Sequence, residues 1–216
     1  MTAEDFRRFI EVGDAQGVRG ILRADPEFAN RTVRWYLNRW NESDPLHYVC
    51  DCVGNGTLTN GAEGEIAKLL LENGAQVDGT QGREPPLMAA ASMGASRVAR
   101  VLLDAGAALE STALFGARAL HWAAWTGASP TVEMLLARGA KFEVKCSEFG
   151  ATPLFWAVHG YGPDGPCDKL DQVGAARMLI KAGAKIDTFN ANGNSALELA
   201  ERCANPAMFE LLRGGG

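Results

Sequence analysis

Leu102-Leu103-Asp104-Ala105-Gly106-Ala107 is one of four copies of a single closing phrase. The others are Leu70-Leu71-Glu72-Asn73-Gly74-Ala75, Leu135-Leu136-Ala137-Arg138-Gly139-Ala140 and Leu179-Ile180-Lys181-Ala182-Gly183-Ala184. Their glycines, at 74, 106, 139 and 183, stand 32, 33 and 44 residues apart. A period near 33 residues marks a repeat array, in which each unit buries its apolar face only against its neighbours. Function is then expected on the long exposed surface rather than in a pocket inside a globule.

Each closing phrase has an opening phrase before it, and one more follows the last. They are Asp44-Pro45-Leu46-His47, Pro85-Pro86-Leu87-Met88, Arg118-Ala119-Leu120-His121, Thr152-Pro153-Leu154-Phe155 and Ser195-Ala196-Leu197-Glu198. A capping side chain followed by Pro starts a helix, because Pro fixes φ and its missing N–H had no partner to lose. Leu at i with small residues at i+3 and i+4, as in Leu87/Ala90/Ala91 and Leu120/Ala123/Ala124, makes a narrow face against which a second helix packs closely. That second helix carries Ile66/Leu69/Leu70, Val98/Val101/Leu102 or Val132/Leu135 and stops at a Gly suited to a left-handed cap.

This pattern resembles the ankyrin repeat, whose mark is Thr-Pro-Leu-His, two Ala, a Gly, then a Leu-Leu pair and Gly-Ala. The resemblance covers about residues 43–212. It implies an all-α fold, an ankyrin-repeat solenoid of about six helix-turn-helix repeats with β-turn or hairpin fingers. The expected organisation is a single domain over 1–216, with a degenerate first repeat at 1–30 and a long finger at 31–43. Repeats follow at 44–78, 79–110, 111–143 and 144–187, and a capping repeat at 188–216. In the last unit Glu198 takes the His place, which gives a wetter outer face suited to a cap.

A formal charge of -5, with both signs interspersed, offers no basic stripe for phosphates and argues against nucleic acid. The first thirty residues lack the apolar core of a signal peptide, and no later run is long enough for a membrane span. A cytoplasmic protein is expected, monomeric because capping repeats hide the stacking ends. Five cysteines, an odd number, fit reduced thiols better than disulfides. Cys50 and Cys52 are two apart on a helix and face different ways, a poor metal pair. No zinc signature, phosphate-binding Gly loop or nucleophile-base set is present, so neither a cofactor nor a metal is expected.

The chain departs from a regular array in three places: inserts near 53–64 and 161–171, between the first and second helices of their repeats, and the finger with Trp35, Tyr36 and Trp40. Insertions in repeat arrays map to surface loops, often on the binding face. The resemblance also implies which positions line the groove. Aligning the units on their Leu puts Tyr48, Ala89, Trp122, Trp156 and Leu199 in one row. Asp51, Ser92, Trp125, His159 and Arg202 form the next. By this alignment all five Trp lie off the core, with Trp35 and Trp40 in the finger free to bind a partner or to fold down onto Trp122 and Trp125. Arg83, Phe115 and Phe149 sit at turn tips, where the two Phe either make contacts or stack from turn to turn. His47 and His121 occupy the motif slot, which in the family bonds to neighbouring turns; His159 does not.

The leading expectation is a non-catalytic module that binds a partner protein through the groove and fingers, centred on Trp122, Trp125, Trp156 and His159. An alternative is a small-molecule pocket between the finger, the inserts and repeats 3–5, with His159 as acid or base. On the first expectation, removing Trp125 and Trp156 together leaves the fold intact and weakens binding.

Overall fold

The computed structural model describes residues 2–36, 40–160, 171–202 and 206–214, with Trp40 described by its backbone alone. The chain forms two compact units, Met1–Ala108 and Leu109–Gly216. Their junction falls close to the boundary expected between the repeats at 79–110 and 111–143.

In the first unit α1 (Ala3–Glu11) opens on a reciprocal cap between Thr2 and Asp5, and α2 (Ala15–Ala24) on Asp14. The finger is a two-stranded antiparallel hairpin, β1 (Val33–Tyr36) and β2 (Trp40–Ser43), with Val33 opposite Ser43 and Tyr36 opposite Trp40. Helices α3 (Pro45–Gly54), α4 (Glu63–Glu72), α5 (Pro86–Ser92) and α6 (Ser96–Asp104) follow. The second unit holds α7 (Ala119–Thr126), α8 (Ser129–Ala137), α9 (Pro153–Gly160), α10 (Gln172–Lys181), α11 (Ala196–Arg202) and α12 (Pro206–Gly214). The described helices thus make six consecutive pairs. Within each unit first helices pack on first helices, as α3 on α5 and α7 on α9, and second on second, as α4 on α6 and α8 on α10. The small residues do what their spacing implies: Ala90, Ala91, Ala123 and Ala124 are fully buried.

His121 shows how adjacent repeats within the second unit are tied. Its Nδ1 accepts the Arg118 N–H at 3.2 Å, and its Nε2 lies 3.0 Å from the Val144 carbonyl in the next turn. The ring is fully buried, and burial holds its pKa down to about 4. Glu198, in the corresponding slot of the last pair, instead closes a reciprocal cap with Ser195.

The insert near 53–64 is not a free flap. Leu58 is buried, and the Asn60 amide donates to the Val12 and Gly13 carbonyls at 3.1 and 3.3 Å, which staples the loop to the α1–α2 turn. The second insert, 161–171, lies outside the described residues except for Asp171, whose N–H donates to the Gly127 carbonyl and whose side chain caps α10.

Candidate functional site

Six of the residues expected on the binding face come together in the second unit. Phe115, Trp122, Trp125, Phe149, Trp156 and His159 line one groove of about 490 Å³, with Ala151, Phe155, Asn190 and Asn192. No charged carboxylate, ammonium or guanidinium is among its described lining residues. It is an aromatic trough with a rim of two amides and an imidazole.

Helices α7 and α9 carry the core of this trough because they lie side by side at very short range. A Cβ at Gly160 would come within 1.9 Å of the Trp125 carbonyl, so only glycine permits the approach that sets Trp125 and His159 at one edge. Trp122 stands edge-on to both Trp125 and Trp156, at centroid distances of 5.6 and 5.1 Å. The Trp122 Nε1 is buried without a hydrogen bond among the described residues; edge-to-face packing is the geometry in which such an N–H can lie against a π face.

The turns supply the rest. Phe115 has φ +64°, in the left-handed region that a bulky side chain avoids, and its carbonyl accepts from the Glu148 N–H at 3.2 Å and the Ser147 hydroxyl at 3.3 Å. The Phe149 carbonyl in turn accepts from the Ala191 N–H at 2.8 Å. These bonds clip three successive turns into a row, which places Phe115 beside Phe149 at 5.1 Å and sets Asn190 and Asn192 next along. The two Phe therefore stack from turn to turn and also line the groove. Leu114, Phe149 and Phe189 remain exposed along the tips.

Trp156 differs from the expectation that every Trp lies off the core. It is 6 % exposed, its Nε1 donates to the Cys146 Sγ at 3.4 Å, and its ring touches those of Trp122, Phe149, Phe115 and His121. It forms the floor of the groove and part of the unit's core at once. His159 is exposed at the rim.

The candidates in the first unit have other roles. Tyr48, expected to face the groove, is 2 % exposed. Its hydroxyl donates to Glu11 at 2.5 Å, and Glu11 is ion-paired with Arg7 at 2.6 Å. Helix α1 packs on α3 and covers this position, so the row that reaches solvent in a regular unit is core here. Trp35 packs on Tyr48 at 4.7 Å, so the finger does fold down, but onto its own unit. The Trp40 side chain lies outside the described residues. Arg83 pairs with Glu42 at 3.2 Å and lies 3.8 Å from Asp44, bracing the foot of the hairpin. Ser92 donates to the Ala89 carbonyl.

Asp51 is a first-unit candidate in an unusual electrostatic setting. It lies 3.6 Å from the His47 Nε2, which is 4.0 Å from Glu84. Burial first and the Glu84 charge second push Asp51 up to about 7, while burial also raises Glu84 and lowers His47. All three groups are thus biased toward their neutral forms. A carboxyl whose folded pKa exceeds its unfolded value of 3.8 stabilises the fold below about pH 4 and loses that contribution as pH rises through about 7. Asn imitates the protonated acid. Asp51→Asn is expected to raise stability by about 1–2 kcal/mol at pH 8, discounted for partial solvation, and to change it little at pH 4. Denaturant midpoints at the two pH values measure this; an unchanged or lower midpoint at pH 8 contradicts it.

Among the described residues no group of three or more His, Cys, Asp or Glu is placed to hold a metal, and no helix is long and apolar enough to cross a membrane. Sequence reasoning missed Phe155, Ala151 and the pinning of Phe115. The left-handed backbone at Phe115 has no signature in residue type, since Gly is the usual choice there.

A family model of ankyrin repeats, built on three copies, matches residues 57–146 and again 120–215. Among curated proteins the chain is similar to inversin of Gallus gallus, 35 % identical over 43 % of this chain. It is also similar to a probable E3 ubiquitin-protein ligase of Oryza sativa subsp. japonica, 28 % identical over 77 % of this chain. The cyclin-dependent kinase 4 inhibitor B of Rattus norvegicus is 32 % identical over 56 % of this chain and 84 % of its own length. The chain spans 8 % of inversin and 30 % of the ligase. Six helix pairs, the buried motif His121 tied to the next turn and the family match over most of the length lead to one assignment: the chain belongs to the ankyrin-repeat family.

Proposed function

We propose that this chain is a non-catalytic, cytoplasmic and monomeric protein-binding module whose partner docks on the aromatic groove of the second unit. Ankyrin repeats are in general protein-interaction modules, and a relative named as an inhibitor of a protein kinase fits a binding role. The observation that carries the reading is the groove itself: about 490 Å³ lined by aromatic rings, continuous with an exposed row of Leu114, Phe149 and Phe189. Monomeric proteins leave contiguous apolar patches of this kind where partners bind, and Trp is the residue most enriched among binding hot spots. Asn190, Asn192 and His159 supply hydrogen bonds at the rim, as a polar border does in protein interfaces. Buried free thiols at Cys50, Cys52 and Cys146 suit a reducing compartment.

The test is affinity capture from source-cell lysate with the wild type and Trp125→Ala side by side, read by mass spectrometry of proteins and extracted small molecules. Trp125 is half-buried at the rim, so its removal spares the floor of the groove. A hot-spot loss of about 2 kcal/mol would weaken the partner roughly 30-fold, enough to remove it from the mutant's eluate. Recovery of the same proteins by both forms overturns the groove as the docking site. A bound metabolite in place of a protein would make it a ligand pocket.

A further inference from the structure

The polar groups that line the aromatic trough are weighted toward donors. The Asn190 Oδ1 already accepts the N–H groups of Asn192 and Asn194, at 3.0 Å each, so the turn uses the oxygen and leaves the Nδ2 as the free group of that amide. The Trp125 indole N–H makes no hydrogen bond among the described residues, and an indole nitrogen can only donate. His159, exposed at the rim, carries an N–H in either tautomer, and the Asn192 amide offers both kinds of group. The carbonyls of Phe115 and Phe149, which could balance these donors, already accept from the next turns. The rest of the described lining is chiefly rings and carries no charge.

We propose that the occupant is a proline-rich segment of the partner in the polyproline II conformation, a proposal that rests on the trough being the docking face. Such a segment has no internal hydrogen bonds, and each proline contributes a carbonyl and no N–H, so its backbone offers acceptors to a rim of donors. Its pyrrolidine rings are apolar plates suited to grooves lined by aromatic faces. Other occupants match less well. A helix bonds its own carbonyls along its length, and a strand sets an N–H beside each outward carbonyl of its edge. An acidic segment would lose water to a lining without a described cation. A cationic one, though rings attract it, meets the positive ends of the rim donors with no described carboxylate to pair with. The periods also agree. With three residues per turn and about 3.1 Å per residue, every third residue of the segment returns to one face after roughly 9 Å. Adjacent packed helices such as α7 and α9 stand about 8–10 Å apart, so prolines at i and i+3 meet successive repeats.

Fluorescence anisotropy with the full chain tests this, using a fluorescein-labelled nonapeptide of repeated Pro-Pro-Leu triplets. It is compared with the same peptide carrying Ala for every Pro, and with that Ala peptide carrying one trimethyllysine. The Pro peptide is expected to bind with a Kd below about 1 mM, and the other two at least about tenfold more weakly. Asn190→Asp keeps the Oδ1 that the Asn192 and Asn194 N–H groups need and removes the donor. It is expected to melt with the wild type and to weaken the Pro peptide by about tenfold. On binding, the Trp125 indole N–H resonance, identified by its absence in Trp125→Ala, is expected to move downfield. No binding of the Pro peptide, equal binding of the Ala peptide, or an Asn190→Asp affinity equal to the wild type overturns the proposal. Tighter binding of the trimethyllysine peptide overturns it in favour of a cationic partner. None of these results removes the trough as a docking face, which is decided by loss of the captured protein on Trp125→Ala. Pro-peptide binding that survives Trp125→Ala undiminished contradicts both readings.

Discussion

Trp156→Ala is expected to destabilise the protein by about 3–5 kcal/mol, the range for removing a large aromatic from a packed core. For a chain of this size that lowers the melting temperature by roughly 6–20 °C. The side chain is 6 % exposed, its Nε1–H meets the Cys146 Sγ, and it touches four other rings. Its loss opens a void that Trp122 and Phe149 cannot fill without leaving their own contacts. Trp125→Ala is different, because that ring is half-buried and has one aromatic neighbour among the described residues, Trp122. Its cost is expected to stay below about 1.5 kcal/mol, in the range of partly exposed substitutions. The double change expected from sequence to be structurally silent is therefore expected to cost stability through its Trp156 half, and only its Trp125 half isolates binding. Melting of both single variants by circular dichroism checks this; a Trp156→Ala protein melting with the wild type would mean that the aromatic floor is not core.

His121 gives the second large effect, and it depends on pH. The ring is fully buried, and its two nitrogens bridge the Arg118 N–H and the Val144 carbonyl. His121→Ala leaves both backbone groups short of a partner beside a cavity, an expected loss of about 2–4 kcal/mol at pH 7. With a folded pKa near 4, below the unfolded 6.5, the unfolded chain binds more protons between those values. The stabilisation from neutral His121 is complete above about pH 6.5 and disappears as pH falls through 4, on the order of 2–3 kcal/mol in all. Asp51 acts in the opposite sense over part of the same window, so the wild-type profile mixes two slopes. His121→Gln is expected to be less stable at pH 7 and flatter between pH 6.5 and 4, whereas Asp51→Asn steepens the acid loss. Urea unfolding across that range reads both, and a His121→Gln profile parallel to wild type contradicts the assignment.

The repeat was legible because its marks are local. A proline after a capping side chain, two alanines one turn on and a glycine at the end each act through the backbone within a few residues, and α3, α5, α7 and α9 begin and end close to where those marks put them. The second-unit groove was legible for the same reason, since regular spacing carries Trp122, Trp125, Trp156 and His159 to one side. Tyr48 was not, because its burial depends on what α1 and the hairpin do, and neither follows the repeat. Asn60 is a similar case: an asparagine in a Gly-rich insert reads as a turn residue, and its bonds to Val12 and Gly13 are long-range. The dual character of Trp156 follows from the close approach at Gly160, which brings α9 near enough to α7 for rings pointing outward to bury one another.

The central claim is that partners dock on the aromatic trough of the second unit. The most direct measurement places a photo-crosslinking amino acid, one position at a time, at exposed Phe149, His159, Asn192 and, as a reference in the first unit, Lys68, and maps cross-linked peptides from source-cell extract by mass spectrometry. The expected result is one partner protein cross-linked from Phe149, His159 and Asn192 and not from Lys68, with the signal lost on adding Trp125→Ala. Cross-links from Lys68 alone, or a groove signal unaffected by Trp125→Ala, would contradict the claim.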